Sequence, residues 1–271
     1  IEGLFFAGQI NGTSGYEEAG AQGILAGINA GLKLDEKEPV ILDRSQAYIG
    51  VLVDDIINED ASEPYRMMTS RAEYRLLLRQ DNADLRLTPI GHQVGLISEK
   101  RYEQFLRKKE KIAEEMERVR RVIVGATDRN NQTLINLGTT PIQSGVSLAQ
   151  LLKRPQLSYE NTAPLDTNRP DYSKHICDEV EIQLKYEGYI KKQNAQVKQF
   201  KKMESKRIPE NIDYQLIEGL RLEAVEKLSE VRPMSIGQAS RISGVSPADI
   251  TVIHVYLENR KKENANRDAE K

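Results

Sequence analysis

Cysteine is almost absent from this sequence, which has one, Cys177, among 271 residues, and tryptophan is missing altogether. A single cysteine forms no internal disulfide, so the composition excludes a disulfide-stabilised secreted scaffold and favours a reducing compartment. Apolar runs are short, and none approaches the roughly 20 residues of a membrane-spanning helix. We therefore expect a cytoplasmic protein that does not enter a membrane, with Cys177 as a small, partly buried residue and not a nucleophile.

An excess of positive charge is also missing. Lysine and arginine number 39 against 41 aspartates and glutamates, which gives a formal net charge of −2. Binding to nucleic acid must therefore depend on local basic patches. The three histidines, His92, His175 and His254, are scattered without the spacing of metal ligands, so the sequence gives no support for a metal site.

Hydrophobic periodicity predicts a mainly α protein with more than one packing unit. The first six residues predict a buried strand, and such a strand needs neighbouring strands on both sides. Because few other stretches are strand-like, we expect a preceding domain to complete the sheet. Residues 125–145, rich in Thr, Asn and Gly, and 154–172, with three prolines, are typical of connectors. Helical patterns occupy residues 16–32, 64–78, 98–122, 178–205, 222–230 and 247–259.

A turn of glycine and amide residues at 8–15 opens directly into the first predicted helix. Such a turn exposes backbone N–H groups at the positive end of the helix dipole, where an electron-rich ligand binds. Ala19, Gly23, Gly27 and Gly31 then recur every four residues, which favours a close approach of another element. The alternative is an ordinary connection whose glycines only let the helix pack against a sheet. The candidate cofactor-binding residues are Gly8, Gln9, Asn11, Gly12, Thr13, Gly15, Tyr16 and Glu17.

The turn belongs to a longer string, GQINGTSGYEE at residues 8–18, and further distinctive strings follow it in order. They are RSQAYIGVLVDD at 44–55, EPYRMMTSRAEYRL at 63–76, DNADLRLT at 81–88, KYEGYI at 185–190 and SIGQASRISGV at 235–245. Together they resemble the strings of the tRNA uridine 5-carboxymethylaminomethyl modification enzymes, the GidA/MnmG family, in which the first is the third FAD motif. The folate-dependent tRNA T-loop uracil methyltransferases have a similar turn, but without the Tyr-Glu-Glu continuation or the long helical extension.

The resemblance implies the C-terminal half of an enzyme that uses FAD, NADH and methylenetetrahydrofolate to attach an aminomethyl or carboxymethylaminomethyl group to C5 of the wobble uridine of tRNA. It also implies a folate-binding GTPase as partner, and a homodimer. Gln9 matches the FAD-contacting position, with the backbone of residues 8–15 beside it. The family's dinucleotide-binding glycine motif and catalytic cysteines belong to an N-terminal half that this sequence does not contain. We therefore assign no catalytic residue and expect the chain alone to be inactive.

The expected fold class is mainly α: a short α/β remnant of an FAD-binding domain, a helical middle and a C-terminal helical bundle. The expected boundaries are 1–33 for the remnant, 34–124 for the middle region, 125–207 for a connector and basic helix, and 208–271 for the bundle. We assign the bundle to the GTPase, because its apolar alternation predicts more apolar surface than so small a bundle can bury. The alternating residues are Ile242, Val245, Ile250, Val252, Ile253 and Val255.

Two basic patches are candidate tRNA contacts. The lysine patch is Lys198, Lys201 and Lys202, within residues 185–207, which carry a net charge of +6 with aromatic residues interleaved. The arginine patch is Arg66, Arg71 and Arg75, and the last two are predicted to share a helix face with Arg79 at spacings of four. The alternatives are a solvated helix face for the lysines, and structural ion pairs for the arginines. Acidic residues able to form those pairs are Glu73, Asp81 and Asp84.

Two functions of other classes remain open. One is a non-catalytic module that binds tRNA or a protein partner. The other is a helix-turn-helix DNA regulator, prompted by residues 236–250. It is the least favoured, because residues 247–257 hold no lysine or arginine with which a recognition helix would contact DNA.

Overall fold

The computed structural model describes residues 1–58 and 63–269, with side chains as far as Arg260. The described chain is mainly helical, as the sequence predicts, and no helix in it has both the length and the apolar character needed to cross a bilayer. Its α-helices are α1 Tyr16–Leu34, α2 Tyr48–Asn58, α3 Ala83–Gln93, α4 Glu99–Arg121, α5 Asp128–Asn136, α6 Leu148–Leu152, α7 Lys174–Lys185, α8 Glu187–Glu204, α9 Leu222–Val231, α10 Ile236–Ala239 and α11 Pro247–Ala269. Single 3₁₀ turns occupy Gln9–Asn11, Thr69–Arg71, Ala163–Leu165 and Tyr214–Leu216.

Two short strands form the sheet structure of the described chain. They are β1, Ile123–Val124, and β2, Val146–Ser147, and they pair antiparallel with Ile123 opposite Ser147. The chain divides into two compact units. The first comprises the described parts of Ile1–Arg44, Tyr48–Glu73 and Asn194–Lys271, and the second comprises Ser45–Ala47 and Tyr74–Gln193.

The second unit is built on α4, an amphipathic helix that packs against α3, α6 and α7. Its residues Phe105, Ile112, Met116 and Val119 are buried at helical spacing, as the sequence predicts. Inside this core, Glu115 is buried and accepts a hydrogen bond from the hydroxyl of Tyr159 at 2.8 Å. Other core residues are Leu134, Leu148, Leu151, Leu152, Leu157, Val180 and Leu184.

The first unit contains α1, α2 and the terminal helices, whose apolar side chains form a core of their own. Ser246 caps α11, because its hydroxyl accepts the N–H of Asp249 at 3.3 Å and donates to the Asp249 carboxylate at 2.7 Å. Gly244 precedes this cap with φ +91°, a left-handed conformation that favours glycine. Serine is a preferred residue at a helix N-cap, and Pro247 after it suits the first helical position. The bundle core includes Ile208, Tyr214, Leu228, Ile236, Ile242 and Ile253.

Two predicted elements are wrong. Residues 1–6 form no strand, and the side chains of Leu4, Phe5 and Phe6 are exposed, because no strand of the described chain pairs with them. Residues 64–78 form no α-helix, because their backbone groups bind elsewhere: Tyr65 pairs with the glycine turn, and the carbonyl of Arg71 accepts a hydrogen bond from Arg44 at 3.1 Å.

Two predicted boundaries also differ from the structure. The helical pattern at 178–205 is divided, since α7 ends before Tyr186 and α8 begins at Glu187. The connector at 125–145 contains α5, which starts where the Thr127 side chain accepts the N–H of Asn130 at 3.2 Å. This capping supplies a hydrogen bond that composition alone does not reveal.

Candidate functional site

The glycine turn at residues 8–15 has a backbone that requires glycine at two positions. Gly8 has φ +89°, and Gly12 has φ +81° in the left-handed region. Helix α1 then starts at Tyr16, after Gly15, which has no side chain to cap it. Gly15 therefore supplies no capping side chain to the first backbone N–H groups of α1, which lie at the positive end of the helix dipole.

Gln22, a buried residue of α1, holds the glycine turn in place. Its side-chain oxygen accepts the N–H of Gly8 at 3.0 Å and the amide N–H of Asn11 at 2.8 Å. Its amide nitrogen donates to the hydroxyl of Thr13 at 2.9 Å. Sequence reasoning missed Gln22, because a glutamine in a helix is ordinary and the sequence does not show that this one is buried.

Tyr65 fixes the other side of the turn through its backbone. Its N–H donates to the carbonyl of Gly12 at 2.8 Å, and its carbonyl accepts the N–H of Ser14 at 3.1 Å. Next to it, the buried carboxylate of Glu18 accepts the N–H of Met67 at 2.8 Å. That backbone hydrogen bond lowers the pKa of Glu18, so the carboxylate stays ionised beside the helix N-terminus. The turn is thus held between α1 and the extended segment around residues 65–67.

A cleft of about 280 Å³ opens beside the N-terminus of α1. Its walls are mostly apolar, with two acidic side chains and the guanidinium of Arg66 at its edge. The side chain of Arg66 is 61% exposed and its Nε lies 3.9 Å from Glu18. The lining residues are Glu17, Glu18, Ala21, Tyr48, Ile49, Leu52, Arg66 and Met67.

The eight candidate cofactor-binding residues differ in accessibility. Gly8 and Thr13 are buried, whereas Asn11, Gly12 and Gly15 are partly buried. Asn11 also donates its amide to the carbonyl of Phe6 at 3.2 Å, so its side chain is engaged within the chain. The exposed members of the set are Gln9, Tyr16 and Glu17.

The small-residue stripe of α1 is open in the described chain. A Cβ built on Gly23, Gly27 or Gly31 has no atom of the described residues within 4 Å. The neighbouring Ile24 is 52% exposed. No sheet of the described residues covers the stripe. Within the described chain, these glycines therefore do not serve to pack α1 against a sheet.

A buried charge cluster surrounds Arg44 in the first unit. Its guanidinium binds Asp54 at 3.0 Å, Glu73 at 3.0 Å and also Asp55. Asp55 in turn accepts the hydroxyl of Tyr65 at 2.7 Å. Because the backbone of Tyr65 also pairs with the glycine turn, the charge cluster stabilises the turn indirectly, through Tyr65.

The arginine patch does not lie on one helix face, because residues 64–78 form no α-helix. Arg66 is exposed, whereas Arg71 is 30% exposed and stacks 4.5 Å above the ring of Tyr65; both belong to the first unit. Arg75 is exposed in the second unit. Arg79 forms ion pairs with Asp81 at 2.9 Å and Glu179 at 3.4 Å. For this arginine, the alternative of structural ion pairs is therefore confirmed.

The lysine patch lies on α8. All three of its side chains are exposed, and the patch belongs to the first unit. Lys201 forms an ion pair with Asp43 at 3.1 Å, whereas Lys198 and Lys202, one helical turn apart, present their charges to solvent.

The terminal bundle buries most of the apolar alternation that we expected it to expose. Ile242 and Ile253 are in its core, and Val245, Ile250 and Val252 pack against that core. Of the six, Val255 alone is more than half exposed, at 53%. The expectation of surplus surface from these residues is therefore wrong. The exposed apolar residues elsewhere in the bundle are Leu216, Leu222 and Met234.

Cys177 is partly buried, as expected, and lines a cleft of about 520 Å³ in the second unit. Burial raises the pKa of its thiol, which disfavours the reactive thiolate. Among residues with described side chains, no cluster of His, Cys, Asp and Glu has the arrangement of a metal site. His92 instead stacks on Tyr102 at 3.8 Å, and His254 contacts Lys206.

Three family models match the chain, and two of them describe C-terminal helical regions of a tRNA-modifying enzyme. One described as the tRNA modifying enzyme MnmG/GidA C-terminal helical domain matches residues 99–194. One described as the MnmG/GidA C-terminal helical bundle matches residues 196–271, and one described as glucose inhibited division protein A matches residues 1–38. The chain belongs to the GidA/MnmG family.

Similar proteins share both sequence and fold with this chain. The tRNA uridine 5-carboxymethylaminomethyl modification enzyme MnmG of Caldicellulosiruptor saccharolyticus is 62% identical over 97% of this chain and 42% of its own length. Its counterpart in Lachnoclostridium phytofermentans is 59% identical over the same shares. The structure of Aquifex aeolicus GidA in the form II crystal is 41% identical, with a TM-score of 0.79, over 95% of this chain and 40% of that chain. The chain thus spans about two fifths of the length of these relatives.

Proposed function

We propose that this chain is the C-terminal part of a flavin-dependent tRNA uridine modification enzyme. The observation that carries the proposal is the 62% identity to a tRNA uridine 5-carboxymethylaminomethyl modification enzyme across 97% of the chain. The reaction proposed for the whole protein is the attachment of an aminomethyl or carboxymethylaminomethyl group to C5 of the wobble uridine. The further cofactors are NADH and methylenetetrahydrofolate, the partner is a folate-binding GTPase, and the assembly is a homodimer. The boundaries 1–33, 34–124, 125–207 and 208–271 are proposed with it.

The glycine turn suits one edge of an FAD molecule. The uncapped N–H groups at the start of α1 and the exposed side chain of Gln9 are donors for the electron-rich oxygens of a flavin ring. When bound, FAD supplies the electron transfer of the proposed reaction. The residues of this chain bind and orient it from one side. They form a turn and one helix, which are too few to enclose a flavin, so the rest of the pocket is assigned to the other part of the protein.

The basic patches are proposed to bind the phosphates of tRNA. Arg66, Lys198 and Lys202 support this role, because their charged groups are exposed to solvent. Arg71 and Lys201 each have an acidic neighbour, at 3.7 Å from Asp55 and 3.1 Å from Asp43, so their contacts with phosphate compete with ion pairs. Arg75 completes the proposed set.

The terminal bundle is proposed to bind the GTPase. Support comes from its exposed apolar side chains at Leu216, Leu222 and Met234, since such groups in a well-packed bundle are candidates for contact with a partner. The alternating residues between 242 and 255 give little support, because all but Val255 lie in the bundle core or pack against it. The test is a truncation of the full-length protein before Ile208, which should abolish the complex in a calorimetric titration and leave the flavin content near normal. Unchanged affinity would place the GTPase contact elsewhere.

The catalytic proposal is tested on the purified full-length protein. We expect the visible absorption bands of an oxidised flavin, their bleaching by NADH, and modification of a tRNA with an unmodified wobble uridine when the GTPase and methylenetetrahydrofolate are present. Nucleoside mass spectrometry detects the product. A colourless protein that binds no added FAD would contradict the flavin proposal, and a flavoprotein that leaves uridine unchanged under all these conditions would contradict the proposed reaction.

A further inference from the structure

Gln22 occupies an unusual place for a polar side chain. It is 5% exposed in α1, where the buried residues are Glu18, Gln22 and Leu32. A buried amide is costly unless its hydrogen bonds are made, and this one makes three, all to the glycine turn. The helix therefore turns a polar face, and not an apolar one, toward the segment that precedes it.

The three bonds of Gln22 reach three successive parts of the turn. Gly8 is where the chain enters it with positive φ, Asn11 ends its 3₁₀ turn, and Thr13 begins the pairing with Tyr65. One side chain thus fixes the entry, the middle and the exit. Without it, the N–H of Gly8 and the hydroxyl of Thr13 would lose these partners.

The same bonds separate the candidate cofactor residues into two groups. The side chains of Asn11 and Thr13 are directed at Gln22 and are engaged there. The side chain of Gln9, two residues before Asn11, is exposed, as are those of Tyr16 and Glu17 at the start of α1. Gln22 therefore determines which groups of the turn remain open to a ligand.

We propose that Gln22 is a positioning residue for FAD: it holds the glycine turn so that Gln9 and the backbone N–H groups at the start of α1 face the flavin, while Asn11 and Thr13 act as supports and not as cofactor ligands. This inference rests on the proposed function, because it takes FAD as the ligand of the turn. Gln22 touches no ligand itself and acts through the turn.

Substitution of Gln22 in the full-length flavoprotein tests the inference. Gln22→Met keeps the size of the side chain but removes all three bonds, and we expect the Kd for FAD to rise about tenfold to hundredfold. The visible band of the bound flavin should also lose resolution, because a loosened turn admits water beside the ring. Gln22→Glu retains acceptors for Gly8 and Asn11, so it should restore part of the affinity that the methionine variant loses.

Asn29 provides a matched control on the same helix. Its side-chain amide also makes two hydrogen bonds, donating to the carbonyl of Val40 at 3.0 Å and accepting the N–H of Val40 at 2.8 Å. Asn29→Ala therefore removes comparable bonds without touching the turn. We expect it to lower thermal stability and to leave the Kd for FAD within about twofold of the wild-type value.

The outcomes separate the two proposals. If Gln22→Met binds FAD as tightly as wild type, or if Asn29→Ala weakens binding equally, Gln22 is not a positioning residue and the flavin proposal stands. If the wild-type protein binds no FAD, both proposals fail. Should Gln22→Met not fold, Thr13→Val removes the third bond alone, and we expect it to raise the Kd by about threefold to tenfold; an unchanged Kd in that variant overturns the inference.

Discussion

Alanine at Gly27 is expected to have opposite effects in this chain and in the full-length protein. A Cβ at Gly27 meets no atom of the described residues within 4 Å, so in the chain alone the substitution adds only helix propensity. That gain is about 0.8–1 kcal/mol for a glycine in a helix interior. This chain spans 42% of the length of its relative from Caldicellulosiruptor saccharolyticus. We expect the rest of the full-length protein to cover the open stripe. There an added methyl group forces neighbours apart and costs about 1–3 kcal/mol.

The assay compares the opening free energy of α1 in both proteins by peptide-resolved hydrogen exchange, which reports one helix even when the two units unfold separately. Gly188→Ala in α8 is the control, because its Cβ also meets no atom within 4 Å and it lies outside the stripe. The control should stabilise α8 in both contexts. If Gly27→Ala stabilises α1 equally in the chain and in the full-length protein, the stripe is not a contact surface.

Three further predictions concern the cofactor, the basic patches and the buried ion pairs. The purified chain should be colourless, and stoichiometric FAD surviving gel filtration would show that the rest of the pocket is not needed. Replacing the arginine patch or the lysine patch by alanine should weaken tRNA binding and reduce the slope of log affinity against log salt by about 0.9 per lost duplex contact; unchanged slopes would assign the patches to solvent or ion pairs. Arg118→Met leaves buried Glu115 without an ion pair and should lower the free energy of unfolding by about 3 kcal/mol. Arg120→Met, whose partners are exposed, should lower it by less than about 1 kcal/mol, and equal losses would contradict this difference.

The elements that sequence predicts well are those whose stability is local. Helix α4 carries apolar residues at helical spacing over six turns, so periodicity alone locates it to within one residue at each end. Helix α1 follows a glycine turn that marks its start at Tyr16. The cap at Ser246 is likewise local, because donor and acceptor lie three residues apart.

The elements that sequence misjudged depend on distant partners. Residues 64–78 have a helical pattern, but hydrogen bonds from Tyr65 to the turn, 51 to 53 residues earlier, and from Arg44 to Arg71 engage their backbone groups outside a continuous helix. Gln22 was missed for a similar reason: a glutamine in a helix is ordinary in sequence, and only its burial reveals that its amide binds the turn. The periodicity of apolar residues does not show whether a side-chain amide is buried. It also does not show whether a distant side chain will take a backbone carbonyl away from a helix.

The strings that carry the family resemblance are far apart in sequence, yet several meet in the first unit. Arg241, from SIGQASRISGV, binds Asp54 at 2.7 Å and also Glu204. Asp54 is shared with Arg44, whose cluster includes Asp55. One carboxylate thus joins the terminal bundle to α2.

Geometry explains why these positions need these residue types. Arg241 binds two carboxylates from different helices at once, which suits a guanidinium fork better than a single ammonium group. Gly237 leaves room for the Glu204 side chain beside Arg241, since a Cβ at residue 237 would lie 2.2 Å from the Glu204 carboxylate and would make it shift. From Asp54 the contacts continue through Arg44 and Asp55 to Tyr65, and the backbone of Tyr65 holds the glycine turn. The terminal bundle and the proposed flavin turn are therefore parts of one connected polar network.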